Sequence, residues 1–333
     1  MATVRRLKWA LGAGAALLLT ACAKDAPQDT LQPRGPVAEK IDNLIDPVFI
    51  VAGVIFVLVQ FLVVYFVVKY RHRPDRPEPV QVHGNTKMEI AWTLAPALIL
   101  LAIAIPTIGT IFDLSRTPDN SLNVTVVARQ FWWEYRYDDL GVVTANELHI
   151  PTGQPVALRL EGRDVIHSFW VPALAGKTDV VPGRANHMYF EADEPGRYLG
   201  QCTEFCGLSH ANMRLIAVAQ PPAEFDAWVE RQRADAAEPE AGTDAAEGLE
   251  LFTGRGCGGC HTVAGVSEGA IAPDLTHLQS RSTFAGAMFD LNEENLRKWL
   301  TNPPGVKPGA LMPNLGLSED DITKLIAYLD TLK

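Results

Sequence analysis

The sequence predicts a multi-domain chain: a two-helix transmembrane hairpin, then an all-β sandwich, then an all-α C-terminal domain. Three observations carry this. Two uncharged apolar runs, Phe49 to Val68 and Ile90 to Phe112, are each long enough to cross a bilayer's hydrocarbon core. Between Ser121 and Gln220, short segments rich in Val, Ile, Phe and Tyr alternate with turn signals. Past an acidic, Ala-rich stretch, helical patterns flank Cys257-Gly258-Gly259-Cys260-His261. Composition agrees: 333 residues exceed one ordinary domain, and 47% hydrophobic content with a mean hydropathy of +0.04 is too apolar for a purely soluble chain. A net charge of -10 with no basic stripe argues against nucleic acid as a partner and suits a cationic protein.

Residues 1–21 combine Arg5, Arg6 and Lys8 with an apolar stretch from Trp9 to Leu19, the layout of an export signal. Leu19-Thr20-Ala21-Cys22 looks like a bacterial lipobox, which implies cleavage before Cys22 and a lipid on its sulfur; a plain signal anchor with an incidental cysteine is the alternative. Residues 22–47 then form an outer segment and 48–113 the membrane hairpin. Lys69, Arg71, Arg73 and Arg76 after the first span mark the cytoplasmic side, so everything past Asp113 lies on the outer face of the plasma membrane. Pro96 and Pro106 are tolerated in the second span because neighbouring helices satisfy the freed carbonyls.

Residues 114–221 read as the β domain, with strand patterns such as Leu122 to Val126 and Pro155 to Leu160. Turn signals stand at Asp138-Asp139, Pro151-Thr152-Gly153, Pro182-Gly183 and Pro195-Gly196. One loop offers two thiols, an imidazole and a thioether at Cys202, Cys206, His210 and Met213, and His167 brings a second imidazole from an earlier segment. Soft thiolate and thioether donors with imidazole select copper over calcium or magnesium. One cysteine suffices for a mononuclear site; the surplus thiol allows two bridging thiolates and a copper pair that shares a single electron's change. A Cys202–Cys206 disulfide and a zinc site are the alternatives.

Here the chain resembles subunit II of the haem-copper oxidases, specifically the cytochrome c oxidases with the dinuclear CuA centre. The resemblance spans roughly Asp42 to Gln220 and rests on Val165 to Pro172, Lys177 to Gly183 and the cysteine loop. It implies a cupredoxin-like sandwich with His167, Cys202, Cys206, His210 and Met213 as copper ligands. Glu204 is similar to the residue that binds copper through its carbonyl and turns its carboxylate to a magnesium ion at the boundary with subunit I. Quinol oxidase subunits share the fold but lack this ligand set. Gln130-Phe131-Trp132-Trp133-Glu134-Tyr135 resembles the family stretch whose tryptophan admits electrons from cytochrome c, and its register points to Trp133; an aromatic strand packed into the sandwich is the alternative. Met88 to Thr93 resembles the start of the family's second helix, which places Glu89 at the mouth of a proton path into subunit I, against a simply solvated carboxylate.

Residues 222–244 read as a helix, Pro222 to Arg233, and an acidic linker without the residues to build a core. In 245–333, Cys257-x-x-Cys260-His261 is the c-type haem attachment signature: two thiols add to the vinyl groups and His261 ligates iron. The spacing alone also allows a redox dithiol. Gly309 to Pro313 resembles the methionine loop of class I cytochromes c, which makes Met312 the second axial ligand rather than Met288. Ile271 to Leu275 resembles the loop whose proline lies near the proximal histidine. Helices are expected at Ala245 to Arg255, Glu293 to Thr301 and Ser318 to Leu332, the last opened by a Ser318-x-x-Asp321 cap. His72, His83, His149, His187 and His277 are read as solvated or hydrogen-bonded rather than as ligands.

Together the resemblances imply subunit II of a caa3-type cytochrome c oxidase, with one covalent haem c, two copper ions in CuA, and magnesium at the subunit boundary. Subunit I and subunit III would be its partners, with cytochrome c or an upstream cytochrome bc-type complex as donor and membrane lipid around the hairpin. Electrons would run from haem to copper to subunit I, where oxygen reduction and proton pumping occur; a stand-alone membrane-anchored carrier and a nitric-oxide reductase component are the rival readings.

Overall fold

A computed structural model describes residues 26–74, 80–81 and 83–333. The export signal, Cys22 and Arg76 lie outside the described residues.

Two long helices come first, α1 (Pro36–Lys69) and α2 (Thr86–Leu114), each long and apolar enough to cross a membrane, with neither apolar window buried. Large side chains such as Phe49, Phe61, Leu98 and Ile105 stand exposed along them, as lipid-facing residues must. α1 starts well before the apolar run: Pro36 opens it, and residues expected as an outer segment continue the helix. Its first turns are held by the β domain. Val37 is buried in that domain's core with Ile41 packed against it, Arg34 N–H donates to Ala173 O, and Gly35 lies so close to Glu191 that a Cβ would sit 1.9 Å from its carbonyl oxygen. Lys40 on α1 pairs with Asp113 on α2 and ties the outer ends together.

Ten strands then build two five-stranded sheets: β1 (Leu122–Arg129), β2 (Trp132–Tyr137), β3 (Val142–Ala145), β4 (Glu147–Pro151), β5 (Val156–Gly162), β6 (His167–Trp170), β7 (Thr178–Val180), β8 (Asn186–Phe190), β9 (Gly196–Cys202) and β10 (Arg214–Gln220). The sheet orders are β3-β2-β1-β5-β8 and β4-β10-β9-β6-β7, with β1–β5 and β4–β10 parallel. Alternate residues of β2, Trp133, Tyr135 and Tyr137, point inward with Leu148, Leu160, Phe169 and Phe190 from other strands; each such burial stabilises by roughly 1.5–3 kcal/mol. Tyr137 O–H donates to His149 O at 2.6 Å, joining the sheets. Helix α3 (Pro222–Gln232) closes one end with Phe225 and Trp228.

The C-terminal domain is built on α4 (Asp244–Gly254), α5 (Glu293–Thr301), the single turn α6 (Pro303–Val306) and α7 (Glu319–Leu329), with a second, separate core around Phe252, Leu325, Tyr328 and Leu329. The Ser318/Asp321 capping box is present at the head of α7. α4 and α7 pack closely because position 248 is glycine: a Cβ there would meet Lys324 O at 2.1 Å.

Candidate metal centre and haem cleft

The β6 and β9 register brings the loop donors together. Phe169 pairs with Cys202, Cys202 N–H donates to Met213 O at 2.9 Å, and Thr203 N–H to Ser168 O at 3.0 Å. The ends of the loop are thereby fixed beside His167. Sulfur and nitrogen atoms converge: Cys202 Sγ lies 3.8 Å from Cys206 Sγ and 3.8 Å from His167 Nδ1, while Cys206 Sγ is 3.6 Å from His210 Nδ1 and 3.9 Å from Met213 Sδ. Glu204 O is 3.3 Å from Cys202 Sγ. His167, Cys202 and Cys206 form a buried cluster whose ligand atoms lie within 4.8 Å of one another. Both thiols are free, and 3.8 Å between sulfurs is far beyond the ~2.05 Å of a disulfide. The contact between the two thiols holds Cys202 below its ordinary pKa and pushes Cys206 above it, so the first thiolate of the pair forms at Cys202.

His167 is oriented from behind. Asp164 Oδ1 is 2.7 Å from its Nε2, which leaves Nδ1 aimed at the sulfurs. Asp164 also accepts the Gln130 N–H at 2.6 Å, and the Gln130 side chain donates to Cys206 O, so the β1–β2 turn clamps both halves of the cluster. Sequence reasoning missed Asp164 and Gln130; an acid three residues before a ligand histidine was the available signal for the first.

Trp133 is fully buried, edge-on to His167 at 6.1 Å and to Phe169 at 5.3 Å between ring centroids, the packing that the aromatic-strand alternative describes. Phe131 and Trp132 line the neighbouring cleft instead. Alternation along β2 separates Trp132 from Trp133: a one-residue step turns a side chain to the other face. Glu89, at the head of α2, is exposed and accepts the Asn85 N–H at 3.3 Å, a helix-capping contact.

In the C-terminal domain, Cys257, Cys260, His261 and Met312 line one cavity of about 460 Å³ with Ile271, Leu275, Leu296 and Leu300. Met288 does not line it. His261 Nδ1 donates to Pro273 O at 2.7 Å, which leaves Nε2 free as an iron donor. Burial pushes the His261 pKa down, favouring the neutral imidazole that a metal needs. Met312 Sδ accepts from Trp299 Nε1 at 3.1 Å. Two thiols, an imidazole and a thioether around an apolar cavity fit a covalent haem with two axial ligands.

The sequence match decides the family. Residues 28–109 match "Cytochrome C oxidase subunit II, transmembrane domain", 141–220 "Cytochrome C oxidase subunit II, periplasmic domain", and 245–333 "Cytochrome c". "Cytochrome c oxidase subunit 2" of Alkalihalophilus pseudofirmus is 42% identical over 95% of this chain and 94% of its own length. The chain belongs to the cytochrome c oxidase subunit II family. The Bacillus sp. (strain PS3) "Cytochrome c oxidase subunit 2" is 36% identical over 96% of this chain and 95% of its own. The periplasmic domain of subunit II from Bradyrhizobium japonicum is 30% identical, covering 35% of this chain and 97% of that one at a TM-score of 0.35. Family membership makes this a membrane protein with its β domain outside, its soft-donor cluster suited to copper and its C-terminal domain to haem.

The two domains are in contact, which the linker pattern did not foretell. Glu147 on β4 is 1% exposed, and its carboxylate accepts from Ser282 N–H at 3.1 Å, Ser282 Oγ at 2.6 Å and Thr283 Oγ1 at 2.7 Å. Burial alone would raise the Glu147 pKa; the Ser282 and Thr283 bonds and Arg197 outweigh it and hold it low. From the other side, Arg281 Nε donates to Thr144 Oγ1 at 3.3 Å.

Of the remaining histidines, His149 is buried on β4, stacked on Trp228 at 4.3 Å with Nδ1 2.9 Å from Gln220 Oε1. Burial pushes its pKa down to about 4, against a bonded Gln220 and nearby Glu147 that favour the charge. The unfolded chain takes up this proton near pH 6.5 and the folded one only near 4, so stability falls as pH drops through that window. The expected loss is about 3 kcal/mol. Denaturant unfolding of the β domain at pH 7 and pH 4 should show it, and His149→Phe should flatten it; equal pH sensitivity in both proteins would refute this assignment.

Proposed function

We propose that this chain is the electron-receiving subunit of a caa3-type cytochrome c oxidase. A covalent haem c would be attached through Cys257 and Cys260, with His261 and Met312 as axial ligands. A copper pair would be held by Cys202 and Cys206 as bridging thiolates, with His167, His210, Met213 and the Glu204 carbonyl as the further donors. Bound there, the two groups supply one-electron carriers. The chain's own part is to orient their ligands: Asp164 fixes the His167 tautomer, Pro273 O fixes that of His261, and the buried sandwich excludes water from the sulfurs. Electrons would leave for subunit I, which reduces oxygen and pumps protons. The external donor would be cytochrome c or a bc-type complex, and Glu89 would serve proton uptake on the cytoplasmic side.

The observation that carries this reading is the donor set: the pair of bridging-capable thiols has four other donors grouped about it, where a single zinc would need only two of those four. Metal analysis and electron-spin spectra of the full chain, produced in a host that attaches haem c, test it. Two coppers sharing one unpaired electron beside one covalent low-spin haem are expected; zinc, one copper, or a removable haem would overturn the reading.

A further inference from the structure

Three consecutive residues between α6 and Met312 each grip the copper loop or the aromatic turn behind it. Lys307, 3% exposed, reaches out of the C-terminal domain to donate from Nζ to Phe131 O at 2.7 Å, and to Ala285 O of its own domain at 2.7 Å. Pro308 O accepts from Ser209 Oγ at 2.6 Å, and Ser209 is the fully buried neighbour of His210. Gly309, with φ of +79°, lies flat on the loop: a Cβ would come within 3.0 Å of the Phe131 ring and 3.3 Å of Leu208. Lys307 has no carboxylate partner among the described salt bridges, so its burial is not repaid by a second charge. The two carbonyl contacts, to Phe131 O and Ala285 O, are what hold its ammonium in this buried position.

We propose that Lys307-Pro308-Gly309 is a docking staple that fixes the cytochrome domain in one orientation on the copper loop, making it a built-in relay rather than a donor that swings on its linker. Ser209 and Lys307 are positioning residues in this arrangement; neither is among the copper or haem donors, and Lys307 is one of the residues that line the cavity beside Met312. Pro308 O and Ser209 Oγ form the hydrogen-bonded link between the stretch that carries Met312 and the stretch that carries His210. The relay moves one electron: what the haem loses the copper pair gains, and no proton or atom crosses. This relay half rests on the assignments proposed above; the docking half does not.

Amide hydrogen exchange on the full chain in detergent separates the two halves. Arg214 N–H donates to Gly286 O at 3.0 Å and Ser282 N–H to Glu147 Oε1 at 3.1 Å, so both amides are held by a partner in the other domain. In a fixed dock they exchange slowly; on a swinging domain they exchange at nearly the free rate. Gly309→Val and the double substitution Ser209→Ala with Lys307→Met are expected to speed both by about 10-fold or more, while the β1–β5 ladder and α7 stay protected. Free exchange of both amides in the unaltered chain, or unchanged protection in the double variant, would overturn the staple; should Gly309→Val also loosen α7, the double variant decides. Flash reduction of the haem supplies the second readout. Haem-to-copper transfer should slow about 10-fold or more in the double variant when measured relative to the rate of haem reduction by an added donor in that same variant. Loosened amides with unaltered transfer would overturn the relay and leave the dock, whereas a chain without the copper-pair signal would defeat the functional reading and leave the exchange result standing.

Discussion

A chain carrying Gly248→Val is expected to have a strongly destabilised C-terminal domain and to retain less of the haem proposed for it. The glycine sits where α4 crosses α7, and a Cβ at this position would meet Lys324 O at 2.1 Å, Lys324 C at 2.8 Å and Tyr328 Cβ at 2.8 Å. Two of those atoms are helix backbone, which has no rotamer to yield. The helices must separate, and with them the core that Phe252, Leu325, Tyr328 and Leu329 share. Overpacking in ordinary cores costs about 1–3 kcal/mol, and contact with rigid backbone places this case at or above the upper end, against a total of about 5–15 kcal/mol for a domain. Thermal unfolding followed at the haem absorbance, with haem stoichiometry, measures the effect. Gly248→Ala should fall between valine and the unaltered chain. A valine variant with unaltered melting temperature and full haem would show that the crossing is looser than the structure has it.

The second large effect is expected at the thiols. Cys202→Ser should abolish the shared-electron copper signal and reduce bound copper below two per chain, while the haem spectrum is unaltered. Serine presents a hard, poorly ionised oxygen in place of a polarisable sulfur whose proton is already held loosely by the Cys206 bond. The site is 3% exposed, so water cannot restore the missing donor. Because the two cofactor sites use residues of separate cores, loss of one signal need not take the other with it. Copper analysis and electron-spin spectra check the prediction, and a serine variant that keeps two coppers and one shared electron would exclude Cys202 as a bridge.

Much of the chain was legible from local spacing. The membrane spans follow from uninterrupted apolar length, the attachment motif from Cys257, Cys260 and His261 in line, and α5 from its periodicity, with the structure ending it at Glu293 and Thr301 as expected. The Ser318/Asp321 box is likewise a contact between residues three apart, and three residues are enough to read it. The cysteine loop belongs here too, because four of its donors lie within a dozen residues and their chemistry does not depend on what surrounds them.

What tertiary structure alone decided has a common cause: it depends on which face of an element meets which partner. Trp133 and Trp132 are equivalent in composition and neighbours in sequence, yet the pleat sends the first to His167 in the core and leaves the second beside the haem cleft. The start of α1 moved outward because Val37 and Ile41 found cover on a domain far along the chain. Asp164 became the orienting carboxylate only when β6 carried His167 to Cys202. Lys307 carries no local signal: a lysine between a valine and a proline reads as solvated, and only the docking of two separately built domains buries it against Phe131. Spacing along the chain determined the spans and picked out the candidate donors. Long-range packing, whose energy lies between residues up to 176 positions apart, determined how the two redox domains face each other.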